Sequence, residues 1–147
     1  MGNRRKAREA SLQLLYEWDL SHKDPEQVIR EFEAHPDRIF EQFGESPQAL
    51  EEIKHFTVQI SQGVIHNVRE IDQLIETHAT HWKITRMSVV DRNILRMAVF
   101  ELMYCADIPA SVTMNEAIEI AKRYGTDESG AFVNGILDHV AKELKKV

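Results

Sequence analysis

Residues 88–105 read SVVDRNILRMAVFELMYC, and this stretch decides the fold class. Ser88 with Asp91 three residues later has the spacing of a helix-starting capping box. Behind it Ile94, Leu95, Ala98, Leu102 and Cys105 recur at intervals of three and four, the period of a helix face rather than the alternation of a strand. It is the most apolar helix of the chain and the expected centre of the core, and Pro109 is expected to close it.

The same periodicity runs outward in both directions, and no stretch alternates with period two for long enough to make a strand. Upstream, Asp24-Pro25-Glu26-Gln27 combines an N-cap, a proline at the first helical position and a capping-box glutamine, with Val28, Ile29 and Phe32 as the buried face. Pro36, Gly44 and Pro47 interrupt the chain, so residues 35–46 are read as broken helix or loop. Two helices are expected next: one from Pro47 carrying Leu50, Ile53, Thr57, Ile60 and Val64, and one capped by Asn67 and Glu70 carrying Val68, Ile71, Leu74 and Ile75. Downstream, Thr113 with Glu116 repeats the box, Val112 is placed to staple onto Ala117, and the helix runs to Gly125. A last helix turns Val133, Ile136, Leu137, Val140 and Leu144 inward, with Gly135 permitting close packing. The expectation is one all-α domain over residues 1–147, of a size and apolar content that close a single core.

Composition excludes several function classes. No segment approaches the ~20 apolar residues that cross a bilayer, and the charged start does not resemble a signal peptide. Cys105 is the only cysteine, so neither an internal disulfide nor a multi-thiolate metal site can form, and a cytoplasmic setting is expected. His78 and His81 share a spacing that metal sites use, but two histidines fall short of the three or four protein ligands needed, so no metal or cofactor is expected. No Gly-rich phosphate loop, nucleophile elbow or HExxH motif is present, and no enzymatic activity is expected.

Charge is unevenly distributed. The net charge is -6, which alone argues against a nucleic-acid partner. Yet Arg4, Arg5, Lys6 and Arg8 lie within the first eight residues without an acid among them, a positive pole on an acidic body. On the first helix Ala7, Ala10, Ser11, Leu14, Leu15 and Trp18 form the core stripe, and Arg5, Arg8, Leu12 and Tyr16 fall in the adjoining sector, expected to be exposed. Arginines neutralise phosphates, and a tyrosine ring offers a stacking platform to an unpaired base. A solubilising arm remains the bland alternative. Phe132, beside the apolar stripe of the last helix and near Lys122 and Arg123, is either a second binding patch or the filling of a corner between helices.

The opening Arg4-Arg5-Lys6-Ala7-Arg8-Glu9, with Gln13, Leu15-Tyr16 and Trp18, resembles the first helix of the NusB family. So do Asp91-Arg92-Asn93-Ile94-Leu95-Arg96, Phe100-Glu101-Leu102, Ile108-Pro109, the run from Asn115 to Lys122, and Phe132-Val133-Asn134-Gly135-Ile136-Leu137-Asp138. Residues 21–81 match only in helical pattern. The resemblance implies a compact bundle of about seven helices in two helical subdomains. It also implies a transcription antitermination factor that pairs with NusE, the small-subunit ribosomal protein that doubles as a transcription factor. The pair would bind single-stranded boxA RNA and act with other Nus factors on RNA polymerase, supporting processive transcription of ribosomal RNA operons. Carried over by position, the RNA-binding residues would be Arg4, Arg5, Lys6, Arg8, Tyr16, Lys122, Glu128 and Phe132, and Asp91 would face the protein partner or else cap its own helix. Two other readings stay open: the NusB-like domain at the front of some ribosomal RNA cytosine methyltransferases, and a helical interaction module with no RNA role.

Overall fold

The computed structural model describes residues 2–146, and among these every regular element is helical. Eight α-helices follow in order: α1 Asn3–Ser21, α2 Pro25–Ala34, α3 Asp37–Phe40, α4 Pro47–His66, α5 Val68–His78, α6 Val89–Tyr104, α7 Ala110–Tyr124 and α8 Ser129–Glu143. Two single 3-10 turns, at Glu41–Phe43 and Ile84–Arg86, complete the set. The one helix beyond the expected seven is α3, a single turn inside the segment read as broken helix or loop. There Gly44 takes a left-handed φ of 59°, which a side chain would resist, and ends the 3-10 turn before α4 begins. The chain divides into two compact units, residues 1–66 and 67–147.

In the first unit α1 lies along α4, and α2 packs on both. Small polar residues set the approach of α1 to α4. Ser11 Oγ donates to the Ala7 carbonyl at 2.8 Å and faces the Thr57 carbonyl at 3.3 Å, and Thr57 Oγ1 donates to the Ile53 carbonyl at 2.6 Å. Both hydroxyls are satisfied within the helices, so hydrogen bonds offset the cost of burying them. Leu15, Val28, Ile29, Phe32, Ile53, Ile60 and Val64 fill the remaining space, and Phe32 meets Phe40 edge to face with ring centroids 5.3 Å apart. Asp24 caps α2 by accepting from the Glu26 amide at 3.2 Å, with Pro25 at the first helical position. Gln27 does not complete a box. Its side-chain amide donates instead to Glu31, a bond that, with Lys23 nearby, holds the Glu31 carboxyl below its ordinary pKa.

In the second unit α6 is buried on all sides from Asn93 to Leu102, with α5, α7 and α8 packed against it. Ser88 caps α6 as expected, its Oγ accepting from the Asp91 amide at 3.0 Å. Two other expected caps are not made. The Tyr104 hydroxyl donates to Glu70 at 2.9 Å, with Asn67 Oδ1 at 3.3 Å, so both members of the proposed α5 box are engaged elsewhere. The bond to Glu70 also raises the Tyr104 pKa. Thr113 lies inside α7 rather than at its start. Pro109 is the N-cap position of α7, Val112 is exposed rather than stapled, and the Thr113 hydroxyl donates to buried Glu101 at 2.9 Å. Pro109 therefore opens α7, whereas α6 has already ended at Tyr104. Arg96, almost wholly buried, binds Asp72 through two bonds of 2.8 and 2.9 Å and donates to Asn93 at 3.0 Å, tying α6 to α5. In α8, Val133, Ile136, Leu137 and Val140 point inward, and Leu144 at the helix end is half-buried. Gly135 does not serve close packing, because a Cβ there would meet nothing within 4 Å.

Candidate nucleic-acid interface

In the first unit the candidate residues belong to α1, whose first turn carries no acid to offset its helix dipole. Acids from outside the helix take that role. Lys6 is ion-paired with Glu45, and the Asn3 side-chain amide donates to Glu52 of α4 at 2.9 Å. Arg4 and Arg8 place their guanidinium carbons 4.6 and 5.4 Å from the centroid of the Phe56 ring. These contacts hold the basic turn as helix, where four neighbouring cations would otherwise favour fraying.

They also correct the expected exposure. Arg8 is 3% exposed, Lys6 is 7% exposed and Leu12 is buried, so the sector beside the core stripe is not an open basic strip. Arg4 remains exposed, Arg5 is half-buried, and Tyr16 is 43% exposed. Trp18, placed in the core stripe by periodicity, is half-buried. Phe56 and Glu45 were not foreseen, because each lies more than thirty residues from the cations it holds and nothing local pairs them.

In the second unit Lys122 is exposed at the end of α7, 3.5 Å from Glu119 one turn back. The turn that follows is tightly built. The Thr126 amide donates to Ser129 Oγ at 2.9 Å, and the Glu128 amide to Thr126 Oγ1 at 3.3 Å. A Cβ on Gly125 would collide with the Ser129 side chain and stand 2.8 Å from the Ala121 carbonyl, so this position admits only glycine without a shift. Glu128 is thereby presented at the start of α8, exposed, and Phe132 one turn later.

Phe132 packs not across the corner between the last two helices but against the loop ahead of α6. Its partner is Trp82, with centroids 5.9 Å apart and planes at 80°. It also lines a groove of about 260 Å³ with Trp82, Arg86, Met87, Ser88, Asp91, Thr126, Glu128 and Ser129. The structure thus brings Asp91, Glu128 and Phe132 to one place. Asp91 does not cap α6 through its carboxylate, since Ser88 makes the cap bond, and Asp91 Oδ1 is buried with no hydrogen-bond partner. The Trp82 loop is fixed from both sides. The Ile84 amide donates to Glu76 at 2.9 Å, and Arg92 Nη1 lies 3.4 Å from the Ile84 and Met87 carbonyls. Sequence periodicity passed over Trp82 because it stands between helices.

His78 stacks on His139 with centroids 6.2 Å apart and approaches Glu143 at 3.2 Å, while His81 lies exposed in the following loop. Among the described residues no group of three potential ligands is gathered for a metal ion. Nor is any helix among them long and apolar enough to cross a membrane.

The model of the NusB family matches residues 5–142. The transcription antitermination protein NusB of Desulfosudis oleivorans is 43% identical over 144 residues, covering 98% of this chain and 88% of the relative. A crystal form of T. maritima NusB superposes with a TM-score of 0.77 at 42% identity, covering 95% of this chain and 91% of that one. A crystal structure of the antitermination factors NusB and NusE in complex with dsRNA also matches, with a TM-score of 0.75 at 27% identity and coverage of 96% and 97%. A family model matched over residues 5–142 and 43% identity across nearly the whole chain mean that the chain belongs to the NusB family.

Proposed function

We propose that this chain is a transcription antitermination factor that, together with NusE, binds boxA-type single-stranded RNA and with other Nus factors keeps RNA polymerase processive on ribosomal RNA operons. The observation that carries this is the family match across residues 5–142, which includes every residue proposed below except Arg4. A relative of the same fold has been crystallised with NusE and dsRNA, which supports NusE and an RNA as the partners of this chain.

The residues proposed for RNA are Arg4, Arg5, Lys6, Arg8 and Tyr16 in the first unit and Lys122, Glu128 and Phe132 in the second. Arg4, Arg5 and Lys122 supply charge to phosphates, and Tyr16 and Phe132 supply ring surface to unpaired bases. Glu128 suits a base amino group, because its carboxylate only accepts hydrogen bonds. Lys6 and Arg8, largely covered by Glu45 and Phe56, chiefly shape and polarise the arm. Asp91 is proposed to accept hydrogen bonds from the basic protein partner, consistent with its unpartnered oxygen and the acidic body of the chain. The activity is that of a binding adaptor in the cytoplasm rather than an enzyme, acting as a single domain over residues 1–147.

The test is binding of a short boxA-like RNA and a scrambled control, with and without NusE, at two salt concentrations. Sequence-specific binding that NusE strengthens and salt weakens steeply is the expected result. Equal affinity for both RNAs under every condition would leave only a helical interaction module.

A further inference from the structure

We infer that Trp82 is a base-stacking residue, and that the groove between the loop at 82–88 and the start of α8 seats one unpaired base of the bound RNA. The inference rests on the RNA reading above and adds to it a residue and a specific seat.

Trp82 has no role in that reading, yet its surroundings are unusual for a surface tryptophan. The edge-to-face contact with Phe132 covers part of the indole, and 49% of the residue stays exposed. Its loop is held by Glu76 and Arg92, so the ring is pre-positioned and little side-chain entropy remains to be lost on binding. A second, half-buried aromatic, Phe132, lines the same groove in contact with it, giving two rings at a corner where a flat base fits against one and beside the other.

The charges around the groove sort a nucleotide by its parts. Glu128 offers acceptor oxygens, which suit amino or imino N–H groups on a base edge and repel phosphate, while Asp91 keeps the partner-facing role given above. Arg86, an exposed lining residue of the groove, attracts the phosphate that a carboxylate rejects. A base therefore enters with its donor edge toward Glu128 and its backbone toward Arg86.

The chain has two tryptophans, Trp18 and Trp82, so Trp18→Phe leaves Trp82 as the sole indole reporter. Titrating the Trp18→Phe chain with boxA-like single-stranded RNA is expected to quench Trp82 emission at saturation. Trp82→Ala is expected to weaken RNA binding about tenfold, in the range found for loss of one stacked base. Trp82→Phe, which keeps a ring against Phe132, is expected to lose less, with an unchanged thermal midpoint excluding a folding defect. RNA binding with unquenched Trp82 and undiminished affinity in Trp82→Ala would overturn the inference while leaving the RNA function standing. Quenching by NusE alone but not by RNA would overturn it in favour of a protein seat. Absence of any RNA binding by the parent chain would overturn both.

Discussion

Arg5 and Arg8 are three residues apart, and the structure separates them in kind. Arg8 is buried over Phe56, so Arg8→Ala removes packing together with charge and is expected to cost about 1 kcal/mol of stability in a denaturant titration. Arg5→Ala is the cleaner probe of RNA contact, expected to weaken RNA binding severalfold and flatten its salt dependence with little change in stability. Two glycines make an opposite pair. Gly135 is exposed on α8 with open space where a Cβ would go, so Gly135→Ala is expected to stabilise the fold by about 1 kcal/mol. Gly125→Ala would force Ser129 or the Ala121 carbonyl to move and is expected to destabilise by roughly 1 to 3 kcal/mol, measured by thermal unfolding. It should also disturb the presentation of Glu128 and Phe132.

Among the elements, α6 is tied to α5 by a buried charge, because Arg96 lies buried and its two-bond pairing with Asp72 offsets much of its desolvation. Asp72→Ala would remove the carboxylate that pairs with that buried cation and is expected to lower stability by about 3 kcal/mol, whereas the exposed Lys142 to Asp138 pair on α8 should be worth well under 1 kcal/mol. How much of this was legible in sequence follows from the range of the interactions involved. Helix existence is written in local periodicity and caps, so α1, α2 and α4 to α8 were all readable, and Ser88 and Asp24 cap where their spacing said. The boxes at Asn67 and Thr113 failed for a common reason. Their side chains have tertiary partners, Tyr104 and Glu101, that outcompete the helix end and leave no mark in the local pattern. The same limit explains the candidate site. The basic cluster and Phe132 were visible as residues, but the burial of Arg8 by Phe56, the Lys6 to Glu45 pair and the Trp82 groove are contacts between distant segments.

For the molecule as a whole, an acidic chain is proposed to bind a polyanion, and the organisation of its charge makes that tenable. The basic turn of α1 is held in place by acids and a ring, so it is ordered in advance and RNA need not bear the cost of folding it. The acidic remainder suits a basic protein partner and disfavours indiscriminate adhesion to nucleic acid. A binding role of this kind has its effect only through the complex it completes. The most direct measurement is therefore terminator read-through in a purified transcription reaction, on a template with or without a boxA element, with NusE and the other Nus factors present. The account predicts that adding this chain raises read-through on the boxA template and not on its boxA-less counterpart, and that Arg5→Ala blunts the gain. Read-through unchanged by the chain on both templates would contradict it.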